Sequence, residues 1–157
     1  MTESEVIGTG IDFLRTGIRG MEPTIESLIL EASSEIQIMA YVFTASALPI
    51  LDLLEKQASK GLTITIVVNH LNSQRPTIIS KLNKLSKFQK VKLIDFADQR
   101  KRQLHAKVLI IDRMKALVGS ANFTWGGMFT NYEVGIKVEG EVAWKLAALV
   151  DTLAYPT

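Results

Sequence analysis

The 157-residue chain has no cysteine and only two histidines, His70 and His105. The first absence excludes disulfides, thiolate catalysis, iron–sulfur ligation and any cysteine-built zinc site. Two imidazoles and scattered carboxylates form no recognisable metal-ligand cluster, so neither a divalent metal nor another cofactor is expected. Proline numbers only 4 and glycine 10, there is no internal repeat, and hydrophobic types reach 47%, which argues against a disordered tail or a fibre. The longest uncharged run, residues 36–51, is interrupted by Pro49 and falls short of the roughly 20 residues that cross a bilayer. The opening MTESEV is acidic and has neither a basic nor an apolar leader region. A cytoplasmic protein without stable membrane insertion is the expectation.

Charge is small in total and uneven in distribution. The net formal charge is +2, yet residues 75–115 hold 12 Lys or Arg against 3 Asp, and the remainder is acidic. A basic segment in an otherwise acidic domain suits a polyanionic partner, though a lysine-rich solvated helix reads the same way.

Periodicity alternates between helical and extended, which predicts one α/β domain over residues 1–157 with a mixed central sheet flanked by helices. Pro23 opens a helix with Ile25, Leu28, Ile29 and Ala32 on one stripe. Residues 36–43 read as a buried strand, and Ser46 as the N-cap of a helix carrying Leu51, Leu54 and Ala58 inward. Residues 62–68 form the next strand. A third helix buries Ile78, Leu82 and Leu85 and shows a basic face with Lys81, Lys84 and Lys87. After a strand at 91–96, an exposed connection holds Arg100, Lys101 and Arg102. Residues 104–111 and 116–119 then read as a hairpin turning at Asp112 and Arg113. Residues 132–138 alternate as a strand, and the last helix begins at 142.

The chemistry-bearing residues cluster late in the chain. His105 and Lys107, two apart on an extended segment, emerge on one face. Asp112, Gly119, Ser120 and Asn122 follow, spelling H-x-K-x4-D-x6-G-S-x-N, and Glu133 comes after them. This pattern resembles the HKD signature of the phospholipase D-like superfamily, with Glu133 standing where the short nucleases of that family place a carboxylate. The resemblance implies a phospholipase D-like fold and a phosphodiesterase, and these residue types suit that reaction. An imidazole is a competent nucleophile near neutral pH and would form a phosphohistidine that water later opens. Lys107 supplies fixed positive charge to the non-bridging oxygens, while Asn122 and Ser120 donate hydrogen bonds to them. Glu133, opposite in parity to Tyr132, Val134 and Ile136, is expected to face the site rather than the core and to orient His105. Asp112 has the opposite parity to His105 and falls at the turn, so it is expected to hold backbone geometry; Gly119 likewise completes the motif structurally.

One motif lacks the acid that protonates the leaving alcohol. In the family, larger members carry two motifs and short ones pair two chains. A homodimer placing two copies of His105 in one site is therefore expected. His70 is the intrachain alternative, and a solvated loop histidine is the simpler reading. DNA or RNA is the expected substrate, held through its phosphates by Arg100, Lys101 and Arg102 and by Lys81, Lys84 and Lys87. Such contacts carry no base code, so sequence selectivity would need a separate or C-terminal recognition domain. Trp125, Phe129 and Tyr132 either stack on a base or pack behind the active-site turn. The alternatives are a lipid hydrolase or phosphatidyltransferase, and a catalytically inactive nucleic-acid-binding scaffold.

Overall fold

The computed structural model describes residues 3–156. Among these, eight strands form one mixed sheet ordered β2-β1-β8-β7-β6-β3-β4-β5. They are β1 (Ser4–Thr9), β2 (Arg19–Gly20), β3 (Glu35–Ala40), β4 (Thr63–Asn69), β5 (Val91–Phe96), β6 (Val108–Ile111), β7 (Lys115–Gly119) and β8 (Glu133–Glu139). Helices α1 (Ile11–Leu14), α2 (Met21–Glu31), α3 (Leu48–Ser59), α4 (Pro76–Leu85) and α5 (Glu141–Ala154) complete the fold. The β-branched strands β3, β4 and β5 run parallel, joined through α3 and α4. β6, β7, β8 and β1 continue the sheet antiparallel.

Two cores follow from strand parity. Ile36, Ile38, Ile64, Ile66, Leu109 and Leu117 meet α2, α3 and α4 on one face. Met39, Val67, Val108, Ile110 and Ala116 meet Ala143, Ala147 and Val150 of α5 on the other. Those three α5 residues recur at helical spacing, and their small side chains let the helix lie close to the sheet. No helix among the described residues is long and apolar enough to cross a membrane.

Several boundaries differ from the sequence expectation for identifiable reasons. Ser46 lies inside a 3-10 turn, Ala45–Ala47, and Ala47 occupies the N-cap position of α3 with no side-chain cap. The strand expected at 104–111 begins only at Val108, opposite Met39 near the end of β3. The Leu104 N–H is given instead to a side chain, that of Asn69. In β8, Val138 is buried under α5, but Val134 and Ile136 on the same side are 45% and 36% exposed, because α5 covers β7, β6, β3 and β4 but not this part of β8. β1, which the acidic opening concealed, pairs with β8 from Ser4↔Val138 to Thr9↔Glu133.

Asp112 performs the structural role its parity implies, at the sheet end remote from His105. It and Arg113 occupy positive φ, 53° and 55°, in a turn closed by the Met114 N–H on the Ile111 carbonyl. The Asp112 carboxylate accepts from the backbone N–H and hydroxyl of both Ser33 and Ser34 and from the Glu35 N–H. Burial opposes its ionisation, but these donors outweigh it and pull the carboxyl down to about 2. Arg113 spans Glu35 and Asp151, tying the same turn to β3 and α5.

A carboxyl lowered on folding stabilises the protein above its unfolded pKa, near 4, and loses that contribution as pH falls toward 2. Asp112→Asn keeps a side chain that tolerates positive φ and is expected to cost about 2 kcal/mol at neutral pH. Urea unfolding of both proteins should show the gap closing between about pH 4 and pH 2; a gap independent of pH would contradict this account.

Candidate active site

The parallel strands β3 and β4 end where β6 and β8 begin and where β7 ends, so five strand termini meet at one end of the sheet. Two buried amides organise it. Asn69, 4% exposed at the end of β4, accepts the Leu104 N–H at 2.8 Å through Oδ1 and donates through Nδ2 to Gln103 Oε1 at 2.7 Å. Gln74, 7% exposed, donates to the carbonyls of Tyr41 and Asn69 and accepts from the Phe43 N–H. The segment after β3, the segment after β4 and the approach to β6 are thereby cross-linked without sheet hydrogen bonds.

This scaffold brings His105 and Lys107 together. Lys107 Nζ lies 2.8 Å from His105 Nδ1 and 2.8 Å from the His105 carbonyl. An ammonium can only donate, so Nδ1 is the acceptor and the ring proton of a neutral imidazole sits on Nε2. The His105 ring is exposed and leans on Tyr41, centroids 4.5 Å apart at 42°. Tyr41 also faces Lys107 Nζ at 5.6 Å from its centroid. The lysine stem lines a cleft of about 20 Å³ with Met21, Ile25 and Phe123, room for a single water and no substrate. Burial holds its ammonium below the usual lysine range, an effect that Glu133 opposes.

Glu133 and Ser120 form a second unit. Ser120 donates to Glu133 Oε1 at 2.6 Å, and Asn131 donates to Oε2 at 3.2 Å. In this structure Glu133 is oriented by Ser120 and Asn131, whereas the contact to His105 Nδ1 is made by Lys107. The Ser120 hydroxyl is correspondingly committed to the carboxylate. Register allows this because Gly119 pairs with Gly135: a Cβ on Gly119 would stand 2.6 Å from Gly135 Cα and 2.4 Å from the Val134 carbonyl oxygen. Gly127 similarly lets the following π-helix, Gly126–Thr130, close onto Asn122, since a Cβ there would lie 2.1 Å from the Asn122 carbonyl oxygen. Asn122 Oδ1 is buried without a partner, which leaves an unused acceptor; donation to an anion falls to its amide nitrogen Nδ2.

The basic groups are deployed unevenly. Lys81 is paired with Asp52 and Glu55 of α3, and Lys84 with Glu55, so the expected basic face of α4 is largely neutralised. Lys87 is exposed. In the loop before His105, Arg102 is bound to Asp98, while Arg100 and Lys101 are exposed and have no ion-pair partner among the described residues. The Arg100 N–H, together with the Arg102 side chain, holds Asp98 below the usual carboxylate range. His70 adopts a left-handed backbone, φ 43° and ψ 77°. Its N–H bonds the Phe96 carbonyl and its own carbonyl accepts from Ser73, so its main chain serves the turn. Among the described residues, no group of three or more acidic, His or Cys side chains is arranged to hold a metal ion.

Residues 25–153 match the family model described as "Cardiolipin synthase, PLD-like domain". Among solved structures, the fold is similar to NucT from Helicobacter pylori, with TM-score 0.78 and 20% identity over 98% of this chain and 96% of that one. It is similar to Nuc from Salmonella typhimurium, a phospholipase D family member, with TM-score 0.77 and 21% identity over 98% and 94%. Phosphatidylserine synthase of Haemophilus influenzae aligns at TM-score 0.65 and 13% identity, over 94% of this chain and 36% of its own. A sequence relative, the DISARM protein DrmC of Bacillus paralicheniformis, is 50% identical over 38 residues, which span 24% of this chain and 16% of that protein.

The buried amides generate a test that needs no substrate. Asn69→Ala strands the Leu104 N–H and is expected to cost about 1–3 kcal/mol in urea unfolding. Amide exchange at Leu104 should accelerate more than exchange in β3 or β4. Uniform acceleration across the sheet would show that Asn69 supports the whole fold rather than this segment.

Proposed function

The chain belongs to the phospholipase D-like family, and from that premise we propose that it is a phosphodiesterase cleaving DNA or RNA internally, without a metal ion, through a phosphohistidine on His105. The observation that carries this reading is the exposed imidazole held 2.8 Å from a partly buried ammonium. A phosphodiester arriving at Lys107 gives the ammonium an anionic acceptor in place of the imidazole, and the released ring then has a lone pair for phosphorus. A histidine–phosphorus bond forms as the bond to one ester oxygen breaks, and the departing alcohol takes a proton. Water then attacks phosphorus, regenerating the imidazole and releasing a phosphomonoester. Lys107 and Asn122 stabilise the charge on the non-bridging oxygens in both steps. Ser120 and Asn131 hold Glu133 in place, where its charge opposes the lowering that burial imposes on the Lys107 ammonium.

The acid for the leaving alcohol comes from a second copy of the chain in this reading. His105 has Lys107 as its only polar side-chain partner among the described residues, and its exposed ring is open to a neighbour. The uncovered side chains of Val6, Val134 and Ile136 on β1 and β8 give an apolar surface, running from the Glu133 end of the sheet, for such a subunit contact. A second reading, hydrolysis or transfer of a lipid diester, draws support from the family model's description and from the likeness to a phosphatidylserine synthase. The exposed cations Arg100 and Lys101 beside His105 favour a polyanion.

In excess EDTA the protein is expected to cleave single- and double-stranded nucleic acid, with His105→Ala and Lys107→Ala each lowering the rate at least about 10²-fold. Activity restored only by added metal would defeat the mechanism, and cleavage of phosphatidylglycerol alone would select the lipid reading. Binding should also be salt-dependent through the loop. Replacing Arg100 and Lys101 by Gln is expected to flatten the slope of log affinity against log salt by about 0.7 per lost contact on a single strand. Arg102→Gln should change that slope least, because Asp98 already occupies this guanidinium.

A further inference from the structure

Trp125 follows Asn122 by three residues and leads into the π-helix Gly126–Thr130. In a wound segment, positions 125 and 129 come round to one side. The rings of Trp125 and Phe129 are 4.7 Å apart at 34°, yet the pair is not packed away: the two residues are 59% and 41% exposed. The segment's anchor in the core is Met128, which is buried and whose carbonyl receives the Thr9 hydroxyl. Tyr132 behaves differently. It donates to Asp12 and meets Phe13 edge-on at 5.0 Å, so it is engaged by α1.

Two large aromatic rings left in water forgo the burial that ordinarily holds such side chains inside. Their support is nonetheless closely packed, because Gly127 closes directly onto the Asn122 backbone. We propose that the Trp125–Phe129 pair is a platform on which an unpaired base of the nucleic-acid substrate stacks while its neighbouring phosphate lies at Lys107. This inference rests on the nucleic-acid reading above and adds a substrate class to it. The sheet order supplies the geometry. The loop with Arg100 and Lys101 reaches β6 from the β5 side, whereas the aromatic pair lies between β7 and β8. A strand crossing His105 therefore meets free cations on one flank, suited to its repeating phosphates, and a planar apolar surface on the other, suited to a base. In an intact duplex both faces of each internal base are already covered by stacking. The platform thus favours single-stranded or frayed nucleic acid.

The two tryptophans are Trp125 and Trp144, so Trp144→Phe leaves Trp125 as the sole indole, and adding His105→Ala holds substrate uncleaved. In that protein, short oligodeoxythymidine is expected to quench Trp125 fluorescence saturably, and a blunt duplex of equal length to quench it much less. Trp125→Ala and Phe129→Ala should each weaken oligodeoxythymidine binding about tenfold at fixed salt with melting temperature retained, and Trp125→Tyr should recover most of the loss. Unchanged affinity in both alanine variants, or equal quenching by duplex, overturns the platform. So does a dimer that dissociates on Trp125→Ala by light scattering, which would assign the pair to a subunit contact. A blue-shifted Trp125 emission on phosphatidylglycerol vesicles, with no response to oligodeoxythymidine, would assign it to lipid. Absence of nucleic-acid cleavage by the parent in EDTA would overturn the underlying reading as well; parent cleavage of single strands that Trp125→Ala leaves intact in rate and affinity removes the platform alone.

Discussion

The hydrogen bond from the Leu104 N–H to the buried Asn69 carboxamide decides where sheet ends and site begins. A strand that continued its ladder through residue 104 would commit the following backbone to the extended pairing of β6. Diverting one donor to a side chain stops the β3 pairing at Val108, and of the three residues before it only Lys107 keeps a sheet-like bond, from the Gly119 N–H to its carbonyl. His105 and Lys107 can then approach each other closely enough for Nζ to reach both a ring nitrogen and a main-chain oxygen of the same histidine. Gln74 does the same for the segment after β3, fixing the carbonyl of Tyr41. The polar edge of the domain therefore depends on a few amides whose burial makes their bonds strong and their loss expensive.

Charge is sorted along the same axis. The turn end carries fully matched groups: Asp112 with five donors, and Arg113 with two carboxylates. At the opposite end, groups are left incompletely matched: a lysine against an imidazole, an amide oxygen without a donor, and two cations in a loop. Matched groups stabilise the fold, and unmatched ones retain free energy for a ligand. Seven motif positions thus serve two purposes, with Asp112 stabilising the fold at a distance from the residues assigned to chemistry.

Much of this was legible in the sequence. Apolar periodicity located α2 to α5 and the parallel strands, the spacing of His105 and Lys107 anticipated their shared face, and parity separated Asp112 from both. Other features depend on partners far along the chain. β1, in an acidic opening that shows no strand pattern, is recognisable only once β8 lies beside it, and Lys81 and Lys84 look like a cationic face until Asp52 and Glu55 are brought opposite by helix packing. Asn69, Gln74 and Tyr41 were missed because polar residues at strand ends ordinarily read as loop. The signal available was their position, Asn69 and Tyr41 at or just after the carboxyl end of a parallel strand and Gln74 in the loop that follows β4, where α/β sheets gather their functional loops. In β8 alternation separates Glu133 from Val134 and Ile136, but it does not show that α5 reaches only Val138 on that second side.

The seam between β7 and β8 has a consequence for altering what the protein accepts. With Gly119 opposite Gly135, the two main chains approach so closely that no side chain fits between them. Moving that wall to widen the site would carry Glu133 and Ser120 along with it. Redesign toward bulkier diesters has to proceed from the flanking loops, leaving the paired glycines as the fixed jaw of the vice.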